Sequence, residues 1–143
     1  MAAYIARAMA EGDANVPAGP LVPSFSDVAA DHWAYKYVEY ARYQGVVQGY
    51  PDDTYQPTFE VDRAQMAVYV SRAMAGGDAN VPDDPDSTAF FPDVDAEHWA
   101  YRYVEYCHDE GVVEGYDDGY RPDEVVTRDQ MAVYVARAFE LMF

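Results

Sequence analysis

Residues 32–50, HWAYKYVEYARYQGVVQGY, return at 98–116 as HWAYRYVEYCHDEGVVEGY, with thirteen of 19 positions identical. A second segment, VDRAQMAVYVSRAMA at 61–75, returns at 126–140 as VTRDQMAVYVARAFE, with ten of 15 identical. The N-terminus carries the same pattern again: MAAYIARAMAEGDANVP (1–17) agrees with 66–82 at 13 of 17 positions. A chain that repeats itself this way folds as stacked copies of one unit, because a unit so small buries its apolar face only against its neighbours. The register divides the chain into a closing half-unit (1–17), a linker (18–24), a full unit (25–82), a second linker (83–90) and a second full unit (91–143). Met1 falls in register with Met66 and Met131. The chain is therefore expected to begin inside a helix of the unit, either as an excerpt of a longer protein or from a start placed at an internal methionine.

Each unit reads as two helices. In the first, spanning 32–44 and again 98–110, Trp33, Ala34, Tyr37, Val38 and Ala41 recur as Trp99, Ala100, Tyr103, Val104 and Cys107. The spacing i, i+1, i+4, i+5, i+8 is one helical face, whereas a strand needs period two. Both tryptophans start that stripe, which favours core packing over stacking on a ligand. Tyr35 and Tyr40, with Tyr101 and Tyr106, fall off it, and tyrosine there suits a sugar or a protein surface. Gly45 and Gly111 follow as C-terminal glycines. The second helix opens with a capping box, Asp62–Gln65 or Thr127–Gln130, and buries Met66, Ala67, Val70, Ala73 and Met74. Between the helices, 45–57 and 111–122 are turn-rich connectors whose paired valines, Val46 and Val47 in the first copy, point to the core as a short strand. Segments 11–24 and 76–89 read as linkers or ordered surface loops.

The net charge of −17, from 26 acidic and 9 basic residues, repels phosphate backbones and anionic membranes. Nucleic acid is excluded as a partner. No apolar run reaches the roughly 20 residues of a membrane helix, and no secretory signal opens the chain. The single cysteine, Cys107, stands where the first copy has Ala41, so its expected role is a small core residue. The acidic runs Asp52-Asp53, Asp83-Asp84-Asp86, Asp93-Asp95-Glu97 and Asp117-Asp118 have the oxygen ligands calcium uses, without the spacing of an EF-hand. They read as solvated loops, with calcium the one cofactor they admit. No nucleophile elbow, phosphate loop, dinucleotide fingerprint or His-Glu-x-x-His is present, so no catalytic activity is expected.

The segments FSDVAADHWAYKYVEYARYQGVVQGYPDDTYQPTFEVDRAQMAVYVSRA (25–73) and FPDVDAEHWAYRYVEYCHDEGVVEGYDDGYRPDEVVTRDQMAVYVARA (91–138) resemble the S-layer homology repeat. Each has a Phe-x-Asp-Val opening, a His-Trp-Ala start, a Gly-Val-Val-x-Gly-Tyr connector and an arginine at the start of the closing helix. Residues 1–10 match the closing helix alone. The resemblance implies a mainly α fold, with tandem helix-loop-helix repeats packed as a partial pseudo-threefold bundle. It also implies a non-catalytic module on the extracellular face of a bacterial cell. There it would attach an exported protein to a secondary cell-wall polysaccharide or peptidoglycan-associated glycan, often one bearing ketal-linked pyruvate, in grooves between repeats. The positions it marks for carbohydrate are Arg63 and Arg128, with Gly49 and Gly115 of the connectors and Trp33 and Trp99. An arginine fork suits a carboxylate. Arginine in the first turn also opposes the helix dipole, so its presence twice asks for a reason. A salt bridge to a nearby acid, such as Asp62 or Asp129, is the alternative to glycan contact. A second function fits the same pattern: a self-assembling surface-layer or filament subunit. The closing helix occurs three times and the opening helix twice, so the N-terminal helix is expected either to leave Ala2, Ile5 and Met9 open to another copy or to fold back onto the following repeat, residues 1–17 then leaving the chain monomeric.

Overall fold

The computed structural model describes residues 1–83 and 88–140. Its helices are α1 (Ala2–Met9), α2 (Tyr35–Tyr43), α3 (Arg63–Ala75), α4 (Tyr101–Asp109) and α5 (Arg128–Ala138). Short 3₁₀ turns follow α1 and α3, at Asp13–Asn15 and Asp78–Asn80. Among the described residues there is no strand, only two isolated bridges, Asp62 to Val125 and Tyr116 to Gly119. The fold is mainly α, as the sequence predicts. Val46, Val47, Val112 and Val113 plug into the core from loop rather than from a strand.

The repeats interlock. The closing helix of one unit packs on the opening helix of the next, α1 on α2 and α3 on α4, and the three closing helices α1, α3 and α5 all touch one another. The packing surface is the expected stripe: Met66, Ala67, Val70 and Ala73 are buried on α3, and Ala34, Tyr37, Val38 and Ala41 on or beside α2. Cys107 is fully buried against α3 at 3.1 Å from Ser71 Oγ, and burial pushes its thiol up to about 12.

Three expectations are corrected. The opening helices start at Tyr35 and Tyr101, not at His32 and His98, because 31–34 and 97–100 form turns in which the histidine Nδ1 accepts the N–H of Ala34 or Ala100 at 3.1 Å. Trp33 and Trp99 therefore precede the helix, miss its stripe, and are 75% and 62% exposed. Tyr35 and Tyr101 are buried rather than off the core face. The linker folds over Tyr35, whose hydroxyl donates to the Pro20 carbonyl at 2.7 Å. Finally, Ala2 and Ile5 are not open: α1 buries both, having the α2 of the next unit as its cover.

The loops are held by carboxylates. Asp27 and Asp93 of the Phe-x-Asp-Val openings accept two consecutive backbone N–H groups each, from Tyr55 and Gln56 (2.8 and 2.7 Å) and from Tyr120 and Arg121 (2.8 and 2.7 Å). Those bonds fix Gln56 and Arg121 in the left-handed region, both at φ 59°, a conformation that costs a non-glycine residue about 1–2 kcal/mol. Buried Glu39 accepts from the backbone and hydroxyl of Ser24, both at 2.7 Å. After each of the first two closing helices a second clamp forms. Asp13 takes Arg7 and Lys36 at 2.7 and 3.0 Å, and Asp78 takes Arg72 and Arg102, both at 2.8 Å, plus the Tyr103 hydroxyl at 2.6 Å. The described parts of 11–24 and 76–89 are ordered surface loops.

Burial opposes ionisation of Asp78, but the Tyr103 hydroxyl, Arg72 and Arg102 outweigh it and hold the carboxyl below its usual range. A depressed carboxylate adds stability above its unfolded pKa of about 4 and loses it as the pH falls through the lower folded value. Asp78→Asn is expected to lower the melting temperature at pH 7. In thermal melts over a pH series, the gap to wild type should close only below about pH 4. A gap that stays constant down to pH 2 would show that the charge is not what the clamp uses.

Candidate functional site

Two grooves occupy equivalent places in the two units. The first, about 220 Å³, is lined by Gln48, Gly49 and Tyr50 of the connector, by Gln65, Val68, Tyr69 and Arg72 of α3, and by Trp99 from the next unit. The second, about 240 Å³, is lined by Glu114, Gly115 and Tyr116, by Asp129, Gln130, Val133, Tyr134 and Arg137 of α5, and by Arg63 from the preceding unit. Seven positions correspond, from Gln48, Gly49, Tyr50, Gln65, Val68, Tyr69 and Arg72 to Glu114, Gly115, Tyr116, Gln130, Val133, Tyr134 and Arg137; the first groove adds Val47 and Tyr55, the second adds Asp129, and the two differ in what a neighbouring unit contributes. The first has a tryptophan from the following unit; the second has an arginine from the preceding one.

Arg63 is only 3% exposed. The next connector buries it. Glu124 and Pro122 carbonyls accept the N–H groups of Arg63 and Ala64 at 2.8 and 2.9 Å, satisfying donors that a helix start leaves unpaired. The guanidinium then lies between rings, 4.9, 4.4 and 5.8 Å from the centroids of Tyr116, Tyr120 and Tyr134. Its Nε donates to the Tyr120 carbonyl at 2.7 Å, and Nη1 donates to the Tyr134 hydroxyl. Burial pushes both phenols up, so neither is a counter-ion at neutral pH. Among the described residues Arg63 is in no ion pair. Asp62, the acid beside it, instead accepts the Gln65 N–H at 2.8 Å, while Gln65 Oε1 accepts the Asp62 N–H at 3.2 Å. The salt-bridge alternative does not hold in this structure.

Arg128 has the same place in the sequence motif and a different setting. Among the described residues no connector covers the start of α5, and Arg128 is exposed, its Nε donating to the Tyr4 hydroxyl at 3.1 Å. It too is in no ion pair among the described residues. Asp129 is bound by the Thr127 hydroxyl, which, with backbone bonds, holds its carboxyl below the usual range. Thus Arg63 and Tyr134 of α5, and Arg128 and Tyr4 of α1, form the same arginine–tyrosine link across successive closing helices.

Of the other expected positions, Gly49 and Gly115 line the grooves, and their conformation is structural. Both have φ near +75° (78° and 75°), and a Cβ at either would overlap the Cε1 of Phe25 or Phe91. Trp99 reaches the first groove; Trp33 lines neither. The tyrosines at 50, 69, 116 and 134, which form most of the aromatic lining, were not singled out by the sequence. Their signal was present, since each recurs in both copies. Of the acidic runs, Asp93 spends its carboxylate on backbone N–H groups and Asp52 on Thr54, and Asp84 and Asp86 lie outside the described residues. Among the described residues no three metal-ligating side chains share a site, and no helix is long and apolar enough to cross a membrane.

The model of the S-layer homology domain matches residues 24–67 and 90–132, more than half of the chain. The chain belongs to the S-layer homology family. An endoglucanase of Bacillus sp. (strain KSM-635) is 33% identical over 94% of this chain and 13% of its own length. The S-layer protein EA1 of Bacillus anthracis is 33% identical over 82% of the chain and 13% of its own length. The cellulosome-anchoring protein of Acetivibrio thermocellus is 27% identical over 82% and 26%. The S-layer homology repeats here thus span about an eighth to a quarter of relatives that otherwise differ in kind.

Proposed function

We propose that these repeats are a non-catalytic attachment module of the bacterial cell surface, holding an exported protein to the envelope through an acidic wall polysaccharide bound in the inter-repeat grooves. The observation that carries this reading is Arg63: a buried cation, ringed by tyrosines, at the junction of two repeats, in no ion pair among the described residues, although Glu114 and Asp129 line the same groove. Removing a charge from water costs several kcal/mol unless a partner repays it. The ring faces repay part, and a carboxylate entering the groove would repay more, through donors that the Tyr120 and Tyr134 bonds leave over. Exposed Trp99 and half-buried Tyr69 give the first groove a face for a sugar ring. Relatives named as an S-layer protein and a cellulosome-anchoring protein support envelope attachment. The endoglucanase among them carries most of its length outside the matched region.

Sedimentation with purified cell-wall sacculi tests the proposal. The wild-type chain is expected to pellet with the sacculi, and retention should fall sharply after mild acid has removed ketal-linked carboxylates from the wall. Arg63→Ala/Arg128→Ala should stay in the supernatant with either preparation. No wild-type retention on untreated sacculi would rule the reading out for this chain. Equal retention of wild type and variant would remove the arginines from it.

A further inference from the structure

We infer that the hollow between the first linker and α2 is a binding site for an aromatic side chain carried by a partner polypeptide. The hollow, of about 550 Å³, is lined by 17–20 of the linker, by Ser24, and by Glu39, Tyr40, Arg42 and Tyr43 of α2. It shares no residue with either inter-repeat groove, so it is separate from wall attachment. Its size falls in the range of ligand pockets, about 300–1,000 Å³. The second unit shows what such a place holds. There His108 lies against two rings: Phe90 stacks on it with centroids 3.7 Å apart, and Phe91 meets it edge-on at 5.4 Å. The first unit has the same arrangement one ring short. Arg42, the counterpart of His108, lies over Phe25, the counterpart of Phe91, with its guanidinium carbon 5.0 Å from the ring centroid. The counterpart of Phe90 is Ser24. The backbone runs the same course at this residue in both units, since the Ser24 N–H donates to Glu39 at 2.7 Å and the Phe90 N–H donates to Glu105 at 3.1 Å. What differs is the side chain: a hydroxyl that donates to Glu39 at 2.7 Å stands where the second unit has a ring.

An incoming ring takes the place of Phe90. Arg42 is exposed and in no ion pair among the described residues, so the guanidinium face turned away from Phe25 can stack on the ring, as arginine planes do on aromatic faces. Half-buried Tyr40, exposed Tyr43 and the linker prolines Pro17 and Pro20 supply apolar walls. Buried Glu39 accepts the N–H and hydroxyl of Ser24, and a carboxylate has further lone pairs. An indole N–H or phenol O–H can donate to them, which favours tryptophan or tyrosine over phenylalanine. The occupant is part of a polypeptide because the apolar surface continues past the hollow. Leu21 and Val22 of the same linker are 99% and 76% exposed, and a contiguous exposed apolar patch of this kind marks a protein contact.

The test titrates the blocked, uncharged peptide acetyl-Leu-Ser-Trp-Ser-Leu-amide into the isotope-labelled full chain and follows the backbone amide resonances. Saturable shifts in 18–24 and 39–43 are expected, half complete by about 1 mM peptide. Ser24→Phe/Arg42→His rebuilds the stack of the second unit inside the first, so binding should fall at least about tenfold while the melting temperature stays close to that of wild type. Should that pair not fold, Arg42→Ala, at an exposed position, is expected to weaken binding about threefold or more. A peptide with leucine in place of tryptophan should bind about tenfold more weakly. No saturation by about 10 mM peptide would overturn the inference. So would equal affinity of the leucine peptide, or of the folded double variant, either of which would mean apolar adhesion without a ring site. Shifts confined to the inter-repeat grooves would place the ring elsewhere and overturn it too. N-acetyltryptophanamide binding as tightly as the peptide would overturn it in favour of a free aromatic compound. No wall glycan enters the experiment and Arg63 is untouched, so its outcome is independent of the wall-binding result.

Discussion

Gly115→Ala is expected to lower the melting temperature by roughly 10 °C, a loss of about 2–5 kcal/mol. Two costs combine. At φ 75° the backbone is left-handed, which costs an alanine about 1–2 kcal/mol. The new methyl would also overlap the Phe91 ring and come within 3.1 Å of the Gly119 carbonyl. Phe91 is buried and packs at a tilt against Tyr120, ring centroids 5.3 Å apart, and overpacking a filled core costs about 1–3 kcal/mol. Gly111 is the control. Its φ is 73°, and a Cβ there meets nothing within 4 Å, so Gly111→Ala bears the backbone cost alone. Thermal melts of the two variants separate the terms: Gly115→Ala should fall well below Gly111→Ala. Equal losses would mean that Phe91 moves aside freely and that the glycine is there for its backbone only. Because Phe91 leans on Tyr120, and Tyr120 carries the carbonyl that Arg63 binds, the first variant should also loosen the groove.

How much of this was legible in the sequence depends on whether a residue answers to its own helix or to the next repeat. The closing helices were readable because capping residues and a 3.6-residue stripe are local: Asp62, Gln65, Met66 and Val70 do what their spacing says. Cys107 was readable by comparison with Ala41. The tryptophans were misplaced because helical spacing was extended two residues back into a turn that His32 and His98 organise. That turn is set by a side chain bonding to the backbone two residues on, which periodicity does not register. Tyr35 was misplaced for a different reason: the linker covers it, and cover from a distant segment leaves no period.

The candidate site shows the same division. Arg63 and Arg128 were found from the motif, but two arginines in identical motifs ended in opposite settings. The difference lies about 60 residues away, in a connector that caps the start of α3 and has no counterpart over α5. Likewise, counting helices left α1 either bare or folded back on the following repeat; the structure shows the second, and it is α5 whose Ala132 and Val133 are exposed. Counting gives the number of unpaired faces; which end bears it depends on whether a closing helix packs forward or backward along the chain. Asp27, Asp93, Glu39 and Asp78 were visible only as charge, since the N–H groups and arginines they bind come from loops whose conformation the pattern does not specify.

Arg63 is where the account is most exposed to contradiction. Isothermal titration of solubilised cell-wall polysaccharide into the wild-type chain, Arg63→Lys, Arg63→Ala and Arg128→Ala measures it directly, with melting temperatures recorded for each to establish folding. Losing one partner of a desolvated charge pair costs about 2–5 kcal/mol, so Arg63→Ala is expected to weaken binding by at least about 30-fold. Arg63→Lys keeps the charge and loses the planar fork, and should fall between Arg63→Ala and wild type. Arg128→Ala, at an exposed site without a connector around it, should weaken binding far less. That ordering, in folded proteins, is the result predicted. Affinity unchanged in a folded Arg63→Ala, or a loss confined to Arg128→Ala, would contradict the claim that the buried arginine at the junction of the two repeats holds the ligand.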